Sequence, residues 1–283
     1  MIYIFMSIPQ LSASGANNHE HVFFTSHSAN FPTVYKQSRK IVFTPMPMLP
    51  LSDGSTDYFR KTKFNRKDIM IMNLSYYEMR VEMCRIAKLM FERRLTNAAG
   101  GNFSVRVDDN RILLSPSMMS EERHCDLKPE DFLLIDYDEN ILEGTGRLSR
   151  ETLMHVLILK NFKEIGSVIH AHPFYCMPYV AFGKEIPNVT EATMGRGKVG
   201  VIPWTQAFTK ELSENVYKYY EEHRELAVRK PIGAIMQYHG IVCSGDTIYK
   251  AYSMLERIEC DAFCNLSRGA VMSTVDECIP TLK

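Results

Sequence analysis

One short apolar segment, residues 167–173 with the sequence Ser-Val-Ile-His-Ala-His-Pro, constrains this chain more than any other. It predicts a buried strand, and side chains on a strand alternate between the two faces of the sheet. His170 and His172 therefore share a face. Two imidazoles directed at one point form a metal clamp that needs a third ligand. His239, near the end of a second apolar run, is the candidate for that ligand.

Composition and charge exclude several classes of protein. The chain has 283 residues, 45% of them hydrophobic, and 33 basic residues balance 33 acidic ones. Without a net charge or a basic block, no global field draws the chain onto nucleic acid or an acidic membrane, and we expect neither partner. The apolar N-terminal run ends at Pro9, too short for a signal sequence or a membrane span. Seven scattered cysteines indicate a reducing, cytoplasmic setting.

The chain divides into two regions by its patterning. Residues 1–67 are rich in Ser, Asn, His and Pro and hold no helical or strand period, which predicts a flexible N-terminal extension. Residues 68–283 are patterned throughout and predict one α/β domain. Met70 and Met72 lie just before the first patterned helix, so a start of the functional polypeptide at one of them stays an open alternative.

Helices and hairpins alternate along the patterned region. A capping box of Ser75 and Glu78 predicts the start of an amphipathic helix that reaches Leu95. Strands are predicted at 102–107, 112–115, 132–136, 141–143, 233–239 and 241–243, and further helices at 149–162, 174–182, 209–225 and 247–269. The first two strands and the next two each read as a hairpin. The absence of a linker between these elements favours a single domain.

The three histidines predict an open metal site. Three neutral imidazoles leave a tetrahedral metal one free position, which distinguishes a catalytic zinc site from a structural one. A lone histidine is more often a buried, hydrogen-bonded residue. The pair at His170 and His172, with His239 at the end of another strand, favours the metal. His124 and His155 lack this arrangement and are not assigned to it.

Two further segments carry polar groups with both structural and functional interpretations. Ser149 can cap a helix and Glu151 then falls in its first turn; alternatively, Glu151 lies beside the metal and transfers a proton. The Gly100-Gly101 loop either forms a tight turn or an anion-binding concavity to which Asn102 adds a donor.

These segments, in this order, resemble the class II aldolase/adducin family over residues 74–270. The resemblance rests on the segments 99–106 (Ala-Gly-Gly-Asn-Phe-Ser-Val-Arg), 113–117 (Leu-Leu-Ser-Pro-Ser), 149–155 (Ser-Arg-Glu-Thr-Leu-Met-His), 168–172 (Val-Ile-His-Ala-His) and 238–240 (Tyr-His-Gly). It implies a three-layer α/β/α fold with a largely antiparallel central sheet. It also implies a homotetramer with active sites at the subunit interfaces.

The resemblance also assigns roles to residues. Fuculose-1-phosphate aldolase and ribulose-5-phosphate 4-epimerase, both similar to this chain, bind a divalent metal through histidines that match His170, His172 and His239. The glutamate of the aldolases matches Glu151, whereas the epimerases have an aspartate there, which favours an aldolase. The phosphate site of such enzymes matches residues Gly101, Asn102, Ser117 and Ser149.

Departures from the family pattern bear on which substrate the chain would bind. This chain has Ser149-Arg150-Glu151 where the aldolases show Ser-Ser-Glu, so Arg150 is expected to take part of the anionic charge or to bind a different acidic group. The tyrosine that protonates the aldehyde oxygen in fuculose-type enzymes has no clear counterpart in residues 188–192, which leaves the second proton donor open.

The expected function is that of a zinc-dependent lyase. It would cleave a ketose 1-phosphate to dihydroxyacetone phosphate and an aldehyde by retro-aldol chemistry, with Glu151 moving the proton. Epimerisation at carbon 4 and decarboxylation of a sugar-acid phosphate are alternatives at the same site. A non-catalytic, adducin-like binding module is a third, against which the presence of all three histidines and Glu151 argues.

Overall fold

The computed structural model describes residues 74–273, which form one sheet with helices on both faces. The expected extension at residues 1–67 lies outside these residues. The strands are β1 (Asn102–Arg106), β2 (Arg111–Leu114), β3 (Leu133–Asp136), β4 (Ile141–Glu143), β5 (Ser167–Ala171), β6 (Gly200–Ile202), β7 (Ile232–Met236) and β8 (Gly240–Gly245). The helices are α1 (Tyr77–Glu92), α2 (Thr152–Asn161), α3 (Met177–Phe182), α4 (Glu191–Met194), α5 (Lys210–Glu222), α6 (Arg224–Ala227) and α7 (Ile248–Met272), with a 3₁₀ turn at Pro129–Asp131.

The described residues build an eight-stranded sheet in the order β4-β3-β2-β1-β5-β8-β7-β6. Neighbouring strands are antiparallel from β4 to β7, and only the β6–β7 pair is parallel. The hairpins predicted at β1–β2 and β3–β4 are present. The pairing of β1 with β5 sets Asn102 opposite His170, which brings two predicted site residues together.

The two faces of the sheet bury two separate hydrophobic clusters. Leu113 and Ile169 face the side covered by α1 and α7, whereas their neighbours Ile112 and Val168 face the side covered by α2 and α5. This alternation follows from the two-residue period of a strand, and a strand with apolar residues at successive positions must be covered on both faces. The three-layer α/β/α architecture with a largely antiparallel sheet is therefore confirmed.

The start of the first helix differs from the prediction. The N-cap of α1 is Tyr76, in a left-handed conformation with φ 58°, and its side chain makes no capping hydrogen bond. Ser75 instead donates its backbone N–H to Glu143 at 3.2 Å. Glu143 also pairs at 2.6 Å with Arg80, which is fully buried. A buried guanidinium requires a partner, and this long-range pair outweighs the local capping box.

Two strands end earlier than predicted. β5 ends at Ala171 and β7 at Met236, so His172 and His239 follow their strands instead of lying within them. Pro173 has no N–H to continue the ladder after His172. Residues 237–239 form the turn to β8, with Tyr238 at φ 61°. Strand β6 and the short helix α4 were not predicted, because each has three or four residues and no visible period, and the helix predicted at 209–225 is divided into α5 and α6 after Glu222.

No helix within residues 74–273 is both long and apolar enough to cross a membrane.

Candidate active site

The three histidines converge where β5 ends and where β7 turns into β8. Nε2 of His170 lies 3.2 Å from Nε2 of His172, and one ring nitrogen from each of His170, His172 and His239 lies within 4.8 Å of the others. His170 approaches the backbone carbonyl of Ile241 through Nδ1 at 3.0 Å. A carbonyl only accepts, so Nδ1 carries the proton and the lone pair of Nε2 faces the other two rings.

Burial makes His170 and His172 neutral ligands. Burial lowers the pKa of His170 to about 4 and that of His172 to about 3. Nδ1 of His239 is buried and has no hydrogen-bond partner. Imidazole nitrogens whose lone pairs face one another, with no proton to bridge each pair, form a donor set suited to a cation. Nitrogen ligands that leave one coordination position open suit zinc.

Glu151 lies directly beside the three rings. Its Oε1 is 3.0 Å from Nε2 of His239, and its Oε2 is 3.4 Å from Nε2 of His170. Glu151 occupies the N-cap position of α2 and not the first turn as predicted. Ser149 does not cap the helix; its Oγ accepts the Glu151 N–H at 3.2 Å and closes the turn before it. That turn directs the carboxylate into the site.

The surroundings of Glu151 keep it ionised. Burial raises the pKa of the carboxyl, but the electrostatic interaction with His170, contacts with His239 and the hydrogen bond from Asn102 outweigh burial and hold the pKa well below its usual range. Oε1 is 3.0 Å from His239 but lacks hydrogen-bond geometry to it, so this oxygen is buried and not hydrogen-bonded. One oxygen of the carboxylate is thus held and the other is available.

A buried polar row supports the held oxygen. Asn102 donates from Nδ2 to Oε2 of Glu151 at 2.7 Å, and its Oδ1 lies 2.5 Å from Nε2 of His155. Nδ1 of His155 lies 2.8 Å from Oγ of Ser104. His155 was not assigned to the site from the sequence, because it lacks the arrangement of the other three histidines. Its spacing from Glu151 is nevertheless informative. His155 follows Glu151 by four residues, which places the two on one face of a helix.

All nine predicted site residues line one pocket. These are Gly101, Asn102, Ser117, Ser149, Arg150, Glu151, His170, His172 and His239. Gly101 has φ 124°, and a Cβ there would lie 2.6 Å from Oγ1 of Thr96, so the loop requires glycine. The pocket also includes residues 98–100, 116 and 118–121, and Phe208.

Phe208 is a pocket residue for which the sequence offered no signal. The guanidinium carbon of Arg150 lies 3.5 Å from the centroid of the Phe208 ring, and the same ring is 6.1 Å from that of His239. Such stacking holds a guanidinium in place while its edge stays open to an anion. Arg150 and Phe208 lie 58 positions apart, so only folding brings them together.

These features define the class of protein. It is a three-layer α/β protein with a histidine cluster suited to a metal ion, beside a buried glutamate. The chain belongs to the class II aldolase and adducin N-terminal domain family, whose model matches residues 81–265.

The relatives differ in the reaction for which they are named. The chain is 32% identical over 179 residues to an L-fuculose phosphate aldolase from Methanococcus maripaludis, covering 63% of this chain and 91% of that protein. It is 28% identical over 185 residues to a 3-oxo-tetronate 4-phosphate decarboxylase from Haemophilus influenzae, covering 62% and 81%. A solved L-fuculose 1-phosphate aldolase superposes with a TM-score of 0.60 at 23% identity, covering 73% of this chain and 92% of that one, which shows the shared fold.

Proposed function

We propose that this protein is a metal-dependent aldehyde-lyase that cleaves a ketose 1-phosphate to dihydroxyacetone phosphate and an aldehyde. The observation that carries the proposal is the convergence of His170, His172 and His239 on a buried carboxylate, Glu151, inside one pocket. A relative with 32% identity that is an aldolase of a sugar phosphate supports it.

The donor set fits a divalent metal, which we propose to be zinc. A cation held by the three imidazoles would supply Lewis acidity and stabilise negative charge on substrate oxygens. His170→Ala combined with His172→Ala should abolish stoichiometric metal in the purified protein, measured by elemental analysis. His124→Ala, at a histidine that packs against Phe91 and is not part of this cluster, is the control and should retain it. Full metal occupancy in the double variant would contradict the assignment.

Glu151 is proposed to move the proton. It takes the proton of the carbon-4 hydroxyl as the bond between carbons 3 and 4 breaks, and the electron pair of that bond moves towards the carbon-2 carbonyl oxygen. The proton then returns to carbon 3, which yields the aldehyde and dihydroxyacetone phosphate. The available oxygen Oε1 suits this exchange, while Asn102 holds Oε2 at 2.7 Å.

The test of this role is Glu151→Gln, which keeps size and polarity. Turnover of ketose 1-phosphates, followed by release of dihydroxyacetone phosphate, should fall by about a hundred- to ten-thousand-fold while metal content and assembly persist. Near-normal cleavage would assign the proton transfer to another residue. An isomerised substrate without cleavage would identify an epimerase instead.

The phosphate of the substrate is proposed to bind in the same pocket at Gly101, Asn102, Ser117 and Ser149, which all line it. The amide nitrogen of Asn102 has two hydrogens, and Glu151 accepts one of them, which leaves the second for a ligand. The backbone around Gly101 can approach an anion closely because it carries no side chain.

Decarboxylation of a sugar-acid phosphate is the second candidate, and Arg150 is the observation that favours it. Its guanidinium, stacked on Phe208 at the pocket, is an additional cation that suits a substrate carboxylate. A relative that is a 3-oxo-tetronate 4-phosphate decarboxylase supports this alternative. Product analysis with ketose 1-phosphates and with sugar-acid phosphates separates the two. No turnover of either class, together with absence of metal, would favour an adducin-like binding module.

The assembly and the setting are also proposals. We infer a homotetramer from the family resemblance, to be tested by light scattering coupled to size exclusion. A reducing, cytoplasmic setting is supported by the six cysteines within residues 74–273, all of which are free thiols.

A further inference from the structure

We propose that His155 is a positioning residue that sets the orientation of the catalytic carboxylate through Asn102. This inference rests on the proposed role of Glu151 and adds a residue to it. Four side chains form one continuous row in which each is within hydrogen-bond distance of the next: Ser104, His155, Asn102 and Glu151. All four are at most 5% exposed.

The backbone explains how the row forms. Asn102 and Ser104 lie two residues apart on β1 and point to the same face of the sheet. Glu151 and His155 lie four residues apart at the start of α2, which puts them on one face of that helix. The packing of α2 on β1 interleaves the two pairs. The helix thus supplies both the reactive carboxylate and the residue that orients it.

Every proton in the row has a defined direction. The Glu151 carboxylate only accepts, so Asn102 must present its nitrogen to it, which leaves Oδ1 facing His155. Oδ1 also only accepts, so His155 must carry its proton on Nε2. Burial lowers the pKa of His155 to about 4, so the ring is neutral and its Nδ1 accepts from the Ser104 hydroxyl. Ser104 thereby selects the tautomer of His155.

These hydrogen bonds fix the orientation of the Asn102 side-chain amide. Without the Nε2 donor, the Asn102 amide could rotate and present an oxygen to the carboxylate, which would repel it. Oε2 of Glu151 would then lose its hydrogen bond, and Oε1 would lose its direction towards the histidine cluster. His155 does not itself line the pocket and is not one of the three clustered histidines, and its hydrogen bond to Asn102, which does line the pocket, transmits its effect.

Substitutions at His155 provide the first test. His155→Leu should lower kcat by about 10- to 100-fold, as loss of a supporting hydrogen bond at a metal site typically does, with KM within about threefold and metal content unchanged. His155→Gln, which can place an amide nitrogen where Nε2 was, should recover most of the loss. In an Asn102→Ala background, His155→Leu should lower kcat no further. An equal loss in both backgrounds would overturn the proposal.

Two buried serines form a matched pair of variants. Ser104 and Ser167 are both fully buried, and each makes one hydroxyl contact of 2.8 Å, Ser104 to His155 and Ser167 to the backbone oxygen of Ser104. Ser104→Ala should lower kcat by about fivefold, whereas Ser167→Ala should destabilise the fold similarly without changing kcat. Equal effects of the two variants on kcat would overturn the role given to Ser104 and His155.

Two measurements do not depend on turnover. Nitrogen-15 NMR of the histidine side chains should show His155 neutral with its proton on Nε2, and a proton on Nδ1 would overturn the proposal. A crystal structure of His155→Leu should show the Asn102 amide rotated and the Glu151 carboxylate displaced, and an unmoved carboxylate would overturn it. If wild type turns over no sugar phosphate or sugar-acid phosphate, the proposed function fails while these two measurements still decide the positioning role.

Discussion

At the scale of single residues, burial determines the chemistry of this site. Taking imidazoles out of water disfavours their charged forms, so His170 and His172 offer lone pairs at neutral pH. The same burial would neutralise Glu151 if it had no partners. His239 and Asn102 contact it and favour its ionised form. The result is a carboxylate beside neutral nitrogens, which is the arrangement a bound cation completes.

Gly240 allows the histidine rings to approach one another. A Cβ on Gly240 would lie 2.6 Å from Cδ2 of His172 and 2.8 Å from Cε1 of His170. We expect Gly240→Ala to shift both rings and to weaken binding of the proposed divalent metal by about tenfold or more, measured by competition with a chelator.

Gly269 is the matched control for Gly240. It lies in α7 with nothing within 4 Å of a Cβ built there. Gly269→Ala should leave binding of the proposed metal unchanged and stabilise the fold by about 0.5–1 kcal/mol, because glycine is a poor helix residue. An unchanged metal affinity in Gly240→Ala would show that the rings tolerate displacement.

At the scale of elements, one carboxylate on α7 holds the segment that follows β5, the strand that carries His170. Glu259 accepts the backbone N–H of Tyr175 at 2.8 Å and that of Cys176 at 3.0 Å. These bonds satisfy donors at the start of α3, which begins at Met177 instead of at residue 174 as predicted. The loop carrying His172 is thus tied to a helix more than 80 residues away.

Removal of the two hydrogen bonds to Glu259 should destabilise the fold. Glu259→Ala would leave two backbone donors without their acceptor, each worth about 1–3 kcal/mol, and we expect a loss of about 2–4 kcal/mol in the free energy of unfolding, measured with denaturant. Glu222→Ala on α5, which removes an exposed pair with Lys218, is the control and should change it by about 0.5 kcal/mol or less. Equal effects of the two variants would show that water replaces Glu259.

At the scale of the whole molecule, residues 74–273 contain both hydrophobic clusters and the entire candidate site. The buried members of the clusters lie between Met83 and Ala262, within the span of the family match, residues 81–265. The strands β1, β5, β7 and β8 carry or flank the three histidines and Asn102, while the edge strand β4 is separated from β1 by two strands in the sheet order.

We propose that residues 1–67 are dispensable, because their sequence carries no sustained apolar period with which to offset ordering entropy. A polypeptide that begins at Met70 should keep its thermal midpoint, its assembly and its activity, measured by calorimetry, size exclusion and turnover. A polypeptide that begins at Val81 loses Arg80 and leaves Glu143 without its partner, so it should unfold at a lower temperature. Loss of assembly in the longer polypeptide would show that the extension is structural.

The sequence by itself determined what depends on local periodicity. The hairpins around residues 102–115 and 132–143, the long helix α7 and the shared face of His170 and His172 follow from periods of two and 3.6 residues, which are properties of the backbone. The combined motifs were specific enough to identify the family, because their order and spacing reflect one arrangement of elements.

Only the tertiary structure decided which distant groups meet. The pairing of Arg80 with Glu143 moved the start of α1, and the packing of α2 on β1 joined Asn102 to His155 and Glu151. The stack of Arg150 on Phe208 has no counterpart in any local pattern. Each of these contacts joins residues about 50 or more positions apart, and such contacts depend on the free energy of the whole fold and not on the propensity of a segment.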